Sequence, residues 1–237
     1  MLELRQLVKH YRVGKGDPIC AVDGVSMSVA SGEFVALYGP SGSGKTTLLE
    51  VIAGAQKPDR GTVLVDGKDI FAMSERDLDE FRLRQLGIIG HPADLIPGAR
   101  AIENASLRLL LTNTRRANRT IEPLLVRLGL GDRMEHRTEE LSMGERQRVM
   151  IAMALATDPV LVLADEPTGN LDTERTREVL GLLQEICGER GAAVLLATHD
   201  PQAASFASQI HELRDGHLQD CQPDHVLEAQ SVFGRRA

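Results

Sequence analysis

The sequence predicts an α/β fold with a parallel β-sheet core, an N-terminal antiparallel β-layer and an inserted α-helical subdomain. Three observations carry this reading. Short aliphatic runs ending in Gly, Asp, Glu or His alternate with helical stretches, the pattern of parallel strands joined by crossover helices. Near the N-terminus, strand-like runs follow one another without intervening helices. Between Ser74 and Leu130, Leu, Ile and Val recur three or four residues apart among Arg and Glu, which is helical spacing.

Taken in order, Leu2–Tyr11, Val22–Val29 and Thr62–Asp66 form the antiparallel layer that flanks the core. Glu33–Gly39 (EFVALYG), Val160–Glu166 (VLVLADE) and Ala192–His199 (AAVLLATH) read as buried strands of the parallel sheet. Each ends in residues with phosphate or proton chemistry, as expected where ligands sit beyond the carboxyl ends of the strands. The stretches Ser74–Leu86 and Ala101–Leu130 are expected to be helical, and Gly129-Leu130-Gly131 ends that lobe. The expected organisation is one domain over 1–220. Within it, 1–90 and 146–220 form the α/β core with its β-layer, and 91–145 form the helical subdomain. Residues 221–237, which include Pro223, are expected to be a C-terminal tail.

At 237 residues the chain is long enough for one large domain with an inserted lobe. Its 42% hydrophobic and 26% charged residues fit a globular protein. No apolar run approaches the roughly 20 residues that cross a bilayer, and MLELRQLVKHYR lacks the apolar core of a secretory signal, so a cytoplasmic location is expected. Cys20, Cys187 and Cys221 are odd in number and far apart, which fits reduced thiols rather than a disulfide framework or a metal site. A net charge of −7 without a basic block, and the absence of Trp, argue against a protein that grips nucleic acid, and no nucleic-acid partner is expected.

The chemistry-bearing motifs sit at the strand ends. Gly39-Pro40-Ser41-Gly42-Ser43-Gly44-Lys45-Thr46 matches GxxxxGK[ST] between a predicted strand and the helical run that opens at Thr47. Glycines allow backbone N–H groups to turn toward phosphate, the helix presents its positive end, and Lys45 supplies a point charge. Thr46 is placed to hold Mg²⁺ through its hydroxyl. Val160–Leu163 then run into Asp165 and Glu166, and adjacent strand residues point to opposite faces, so the two acids can differ in role. Asp165 suits water around Mg²⁺ and Glu166 suits polarisation of an attacking water. His199 ends a third apolar strand, where an imidazole can reach a γ-phosphate or that water.

Between these sites, Leu141-Ser142-Met143-Gly144-Glu145-Arg146-Gln147-Arg148 resembles the LSGGQ signature of ABC ATPases. With ADEPTGNLD from Ala164 and Thr198-His199-Asp200, the resemblance covers roughly 1–220 in the family's order. It implies a RecA-like P-loop NTPase core within the ABC ATPase fold, with ATP and Mg²⁺ as ligands. It also implies a head-to-tail dimer, formed with a second copy or with another ABC ATPase subunit, and transmembrane permease subunits as partners at the inner face of the cell membrane. In such a dimer Gly39–Thr47 cradle the phosphates and Tyr11 stacks on adenine. Asp172 lies in the D-loop, and Ser142 and Gly144 approach the partner's γ-phosphate. Ala21–Ser26, ADEPTGNLD and GERQR further resemble the subgroup that exports macrolides, releases lipoproteins or transmits force across the membrane.

Three positions depart from the family pattern. His91 falls where the Q-loop glutamine is expected, and imidazole is a softer ligand for magnesium than a carbonyl oxygen. Met143 replaces a signature glycine, and Met153 replaces the Arg of IARAL. These departures imply slowed or asymmetric hydrolysis. Two functions therefore stand side by side: an ATPase that powers a permease through dimer closure, and a regulatory ATPase that signals through a membrane partner without moving solute.

Overall fold

Two sheets share one core. The computed structural model describes residues 1–11, 18–90, 92–112, 117–169 and 171–221. The first sheet is antiparallel, in the order β2-β1-β4-β5, from β1 (Leu2–Tyr11), β2 (Ile19–Val29), β4 (Arg60–Val65) and β5 (Lys68–Asp69). The second runs β10-β9-β3-β8-β7-β6. Its centre is parallel: β3 (Phe34–Tyr38), β6 (Leu86–Ile89), β7 (Leu161–Asp165), β8 (Ala193–Thr198) and β9 (Gln209–Arg214), with β10 (His217–Cys221) antiparallel at the edge. The α-helices are α1 (Lys45–Ile52), α2 (Glu75–Arg84), α3 (Ala101–Leu111), α4 (Ala117–Arg127), α5 (Met143–Leu155), α6 (Thr173–Arg190) and the single turn α7 (Pro201–Ala204).

The central parallel strands β3, β7 and β8 are almost wholly apolar because both of their faces are covered. Leu161 and Leu163 of β7, with Ala193, Leu195 and Ala197 of β8, face α1 and the antiparallel layer, where Leu4, Val29, Leu48 and Ile52 pack. Their neighbours in sequence, Val162, Ala164, Val194 and Leu196, point the other way. They meet Met150 and Ile151 of α5 and Leu180 and Leu183 of α6. The period-2 alternation of a strand thus divides one sheet between two apolar clusters.

Register sets the position of the functional residues. Tyr38 pairs with Thr198, and Asp165 with Ala197, so β3, β7 and β8 finish at one level. Gly39, Glu166 and His199 leave the sheet there side by side.

Several elements differ from the sequence-based expectation. The run Ala101–Leu130 divides into α3 and α4, and α4 carries Pro123 in its interior. Leu86, expected to end the helical stretch, instead opens the strand Leu86–Ile89, which pairs with β7. Gln209–Cys221 forms a hairpin, with Cys221 paired to Ile210. His91 and residues 222–237, most of the expected tail, lie outside the described residues. Among the described residues no helix is long and apolar enough to cross a membrane.

Candidate functional site

The loop from Gly39 to Gly44 is shaped by two close approaches. A Cβ at Gly39 would lie 2.2 Å from the Leu213 carbonyl oxygen, and one at Gly44 would lie 2.0 Å from that of Ala21. Gly44 also holds φ +105°, a conformation reserved for glycine, and from it α1 starts. The loop is pinned by Gly39 N–H donating to the Thr198 carbonyl (3.2 Å) and Gly216 N–H donating to the Ser43 carbonyl (3.2 Å).

Lys45, only 6% exposed, folds back into this loop. Its Nζ donates to the carbonyls of Gly39 (2.7 Å) and Pro40 (2.9 Å) and lies 4.0 Å from Glu166 Oε1. Burial pushes the ammonium pKa down, while the charges of Glu166 and Asp165 pull it back up.

The strand tip supplies the acids. Burial holds the Asp165 carboxyl above the usual carboxylate range, against a lowering hydrogen bond from the Thr46 side chain. Asp165 Oδ1 is buried with no hydrogen-bond partner. An acceptor oxygen left in this way, beside a threonine hydroxyl, fits a hard oxygen-seeking cation such as Mg²⁺. Glu166 stands in the left-handed region at φ +46°. Its N–H donates to the Ala197 carbonyl (2.9 Å), its Oε2 accepts from the Thr198 hydroxyl (3.3 Å), and its Oε1 lies 2.7 Å from His199 Nδ1. The cavity between loop and acids has a volume of about 280 Å³ and is lined by Ala21, Ser41, Gly42, Gly44, Lys45, Thr46, Thr47, Asp165 and Glu166.

Tyr11 lies outside that lining. Its hydroxyl donates to Glu50 Oε2 of α1 (3.4 Å), and Lys9 Nζ sits 5.6 Å from its ring centre. Ser142, Gly144 and Asp172 also lie outside it and gather at a second place. Ser142 caps α5 in a reciprocal box: its N–H donates to Glu145 Oε2 (2.8 Å) and its hydroxyl accepts from Glu145 N–H (3.3 Å). Asp172 caps α6 by accepting from Arg175 N–H (2.9 Å). A Cβ on Gly144 would meet Arg175 Cδ at 3.7 Å and Leu171 Cδ2 at 3.9 Å, so the signature helix starts against the turn that opens α6. Apart from Tyr11, which stands against Glu50, and His91, which lies outside the described residues, the expected site residues fall into two groups on one chain, a phosphate loop with its acids and a signature with its neighbouring cap.

Sequence reading overlooked Ala21, whose carbonyl closes on Gly44 from β2, and Glu50 under Tyr11. It also left Thr198 without a role. That hydroxyl donates to Glu166 and accepts from Asp200 N–H (3.0 Å), and only its place beside His199 hinted at this.

A phosphate loop opening a helix at the end of a parallel strand, with an acid pair at the tip of a strand one place removed in the same sheet, defines a phosphate-loop nucleoside triphosphatase. The ABC transporter family model matches residues 22–169, and the chain belongs to that family as an ATP-binding, ATP-hydrolysing cassette. It is similar to the lipoprotein-releasing system ATP-binding protein LolD 2 of Caulobacter vibrioides, with 40% identity over 221 residues, 92% of this chain and 96% of that protein. The macrolide export ATP-binding/permease protein MacB of Rhodopirellula baltica is 39% identical over 220 residues, 91% of this chain but 32% of that longer protein. Among solved structures, the dimeric post-hydrolysis state of the ATP-binding cassette MJ0796 bound to ADP and Pi superposes with a TM-score of 0.83. The two share 32% identity, with 94% of this chain and 99% of that one covered.

Proposed function

We propose that this chain is the cytoplasmic ATPase subunit of a membrane transport or force-transmitting complex, hydrolysing MgATP in a head-to-tail dimer on a permease. The observation that carries this is the division of the site residues. The cavity at Lys45 is lined by the phosphate loop and the acids Asp165 and Glu166 but by no signature residue, while Ser142 caps the amino end of α5 elsewhere on the chain, where helix N–H groups suit an anion. Two cassettes placed head to tail complete each other. The helical subdomain, 91–145, is the arm that presents the signature.

In this reading the Gly39–Thr47 loop and Lys45 bind the β- and γ-phosphates, and Tyr11, braced by Glu50, stacks on adenine. Thr46 and Asp165 would hold Mg²⁺, which lends positive charge to the phosphate oxygens as they approach the transition state. Glu166 polarises the attacking water and accepts its proton, and His199 orients the carboxylate and reaches toward the γ-phosphate. Ser142 and the N–H groups opening α5 meet that phosphate from the partner cassette, and Asp172 lies at the seam. His91 takes the place of the glutamine that faces metal and water.

Met143, 38% exposed at the first position of α5, favours the slowed-hydrolysis reading, because a long side chain stands where the partner's phosphate must enter. The test is to purify Glu166→Gln and measure its mass in solution. A dimer that forms with MgATP and dissolves with MgADP supports the proposal, whereas a monomer that retains no MgATP overturns it.

A further inference from the structure

The signature segment is fastened to the rest of the chain through a buried polar joint. Asn104 of α3 and Thr138, in the short 3₁₀ turn just ahead of the signature, are 1% and 7% exposed. Asn104 Oδ1 accepts from Ile96 N–H (2.8 Å), and its Nδ2 donates to Thr138 Oγ1 (3.2 Å). The Thr138 hydroxyl reaches the carbonyls of Ile96 (3.1 Å) and Ala99 (3.0 Å), and Thr138 N–H donates to the Ala99 carbonyl (3.0 Å). At the rim, Gly98 N–H donates to Glu139 Oε1 (2.7 Å). The loop so bound follows β6, whose last residue Ile89 pairs with Ala164, next to Asp165. From Thr138 the chain makes one 3₁₀ turn, closed by Leu141 N–H on the Thr138 carbonyl (3.3 Å), and Ser142 then caps α5.

Buried hydrogen bonds of this kind cannot be exchanged for water without first exposing both partners, so the loop and the signature must shift together or not at all. A threonine hydroxyl in a site that only needed filling would be better replaced by a methyl group. Here it bridges two carbonyls and an amide.

We infer that Asn104 and Thr138 are positioning residues for the signature: their buried hydrogen bonds fix the amino end of α5 relative to the loop that follows β6 and so set how firmly a second cassette closes on ATP. The inference rests on the dimer reading above. Its test uses the full chain carrying Glu166→Gln, in which MgATP-driven dimerisation is measured by sedimentation. Affinity for a fluorescent ATP analogue is measured at concentrations too low for dimers. Thr138→Val, which keeps the shape and removes the hydroxyl, should weaken dimerisation by about tenfold, as loss of a buried hydrogen bond predicts, and leave nucleotide affinity within about twofold. Thr138→Ser should restore dimerisation to within about twofold of the parent. Should Thr138→Val fold poorly, Glu139→Ala, which removes the exposed rim bond from Gly98 N–H along with a surface charge near Arg137 and Arg146, should weaken dimerisation in the same sense by about two- to threefold.

Unchanged dimerisation in the variant that folds, a parallel loss of nucleotide affinity, or a serine variant no better than valine would each overturn the inference. Failure of the Glu166→Gln parent to dimerise would instead remove the dimer reading itself, and this inference with it.

Discussion

His199 Nδ1 lies 2.7 Å from Glu166 Oε1. An ionised carboxylate can only accept, so Nδ1 carries the proton in this contact, and Nε2 is the ring nitrogen turned away from Glu166. Glu166 is therefore held on three sides, by His199, by the Thr198 hydroxyl and through its own N–H on Ala197. His199→Ala should lower kcat by about 100-fold, within the range of a positioned acid–base group, with ATP affinity unchanged. A single-turnover assay beside equilibrium nucleotide binding checks this, and a variant with normal kcat would remove His199 from the chemistry.

Asp165 and Lys45 make the nucleotide-free fold less stable than it could be. The Asp165 carboxyl sits above its ordinary pKa, so the folded chain holds that proton more readily than the unfolded one. Its contribution to stability is present in acid and is lost as pH rises through the raised folded value. The Lys45 ammonium is shifted down, so its penalty is relieved only as pH rises through the lowered folded value. Asp165→Asn should then stabilise the nucleotide-free protein at neutral pH by on the order of 1 kcal/mol. At this chain length that is about 2–4 °C in Tm. The advantage should shrink as pH falls from neutral and the wild-type carboxyl takes up its proton. MgATP should reverse the order, because the carboxylate left with a bare oxygen gains its partner. Thermal melts with and without MgATP decide it.

Gly44 and Gly67 separate backbone strain from steric exclusion. Both hold positive φ, +105° and +75°, but a Cβ at Gly67 would meet nothing within 4 Å, whereas one at Gly44 would strike the Ala21 carbonyl oxygen at 2.0 Å. Gly67→Ala should cost about 1 kcal/mol, the strain of the left-handed conformation alone. Gly44→Ala should cost about 2–4 kcal/mol and abolish nucleotide retention, because β2 or the loop must move. Equal losses in denaturant titrations would contradict the close packing of Ala21 on the phosphate loop.

The fold was legible where chemistry and period coincide. EFVALYG, VLVLADE and AAVLLATH became β3, β7 and β8, because strands buried on both faces are apolar without interruption. LGII was harder to place. It is four residues long and follows the helical run EFRLRQ, so periodicity alone cannot separate it from a helix end. The hairpin β9–β10 carried a signal in Asp215-Gly216, which hold φ +49° and +80° between Arg214 and its partner His217, but it lay beyond the last catalytic motif. Local motifs named the phosphate loop and the acids. Nothing local could place Ala21 over Gly44 or Glu50 under Tyr11, since both contacts join segments far apart in the chain.

Met143 gives the sharpest test of whether the departures from the family pattern matter. It is the first residue of α5, directly after the Ser142 cap, and is exposed enough that its side chain contributes little to the core. Glycine there leaves the Ser142–Glu145 box intact, since the box uses the backbone and side chains of those two residues alone. The stability change should stay within about 1 kcal/mol, the usual helix penalty of glycine, so a change in rate cannot be ascribed to unfolding. If the thioether chain obstructs the partner's γ-phosphate, Met143→Gly should raise steady-state ATPase activity of the assembled complex by about three- to tenfold, equivalent to about 0.7–1.4 kcal/mol at the transition state. His91→Gln should add to that gain if the imidazole fails to serve metal and water as an amide would. A complex of the double variant that turns over ATP at the wild-type rate would show that neither residue restrains hydrolysis.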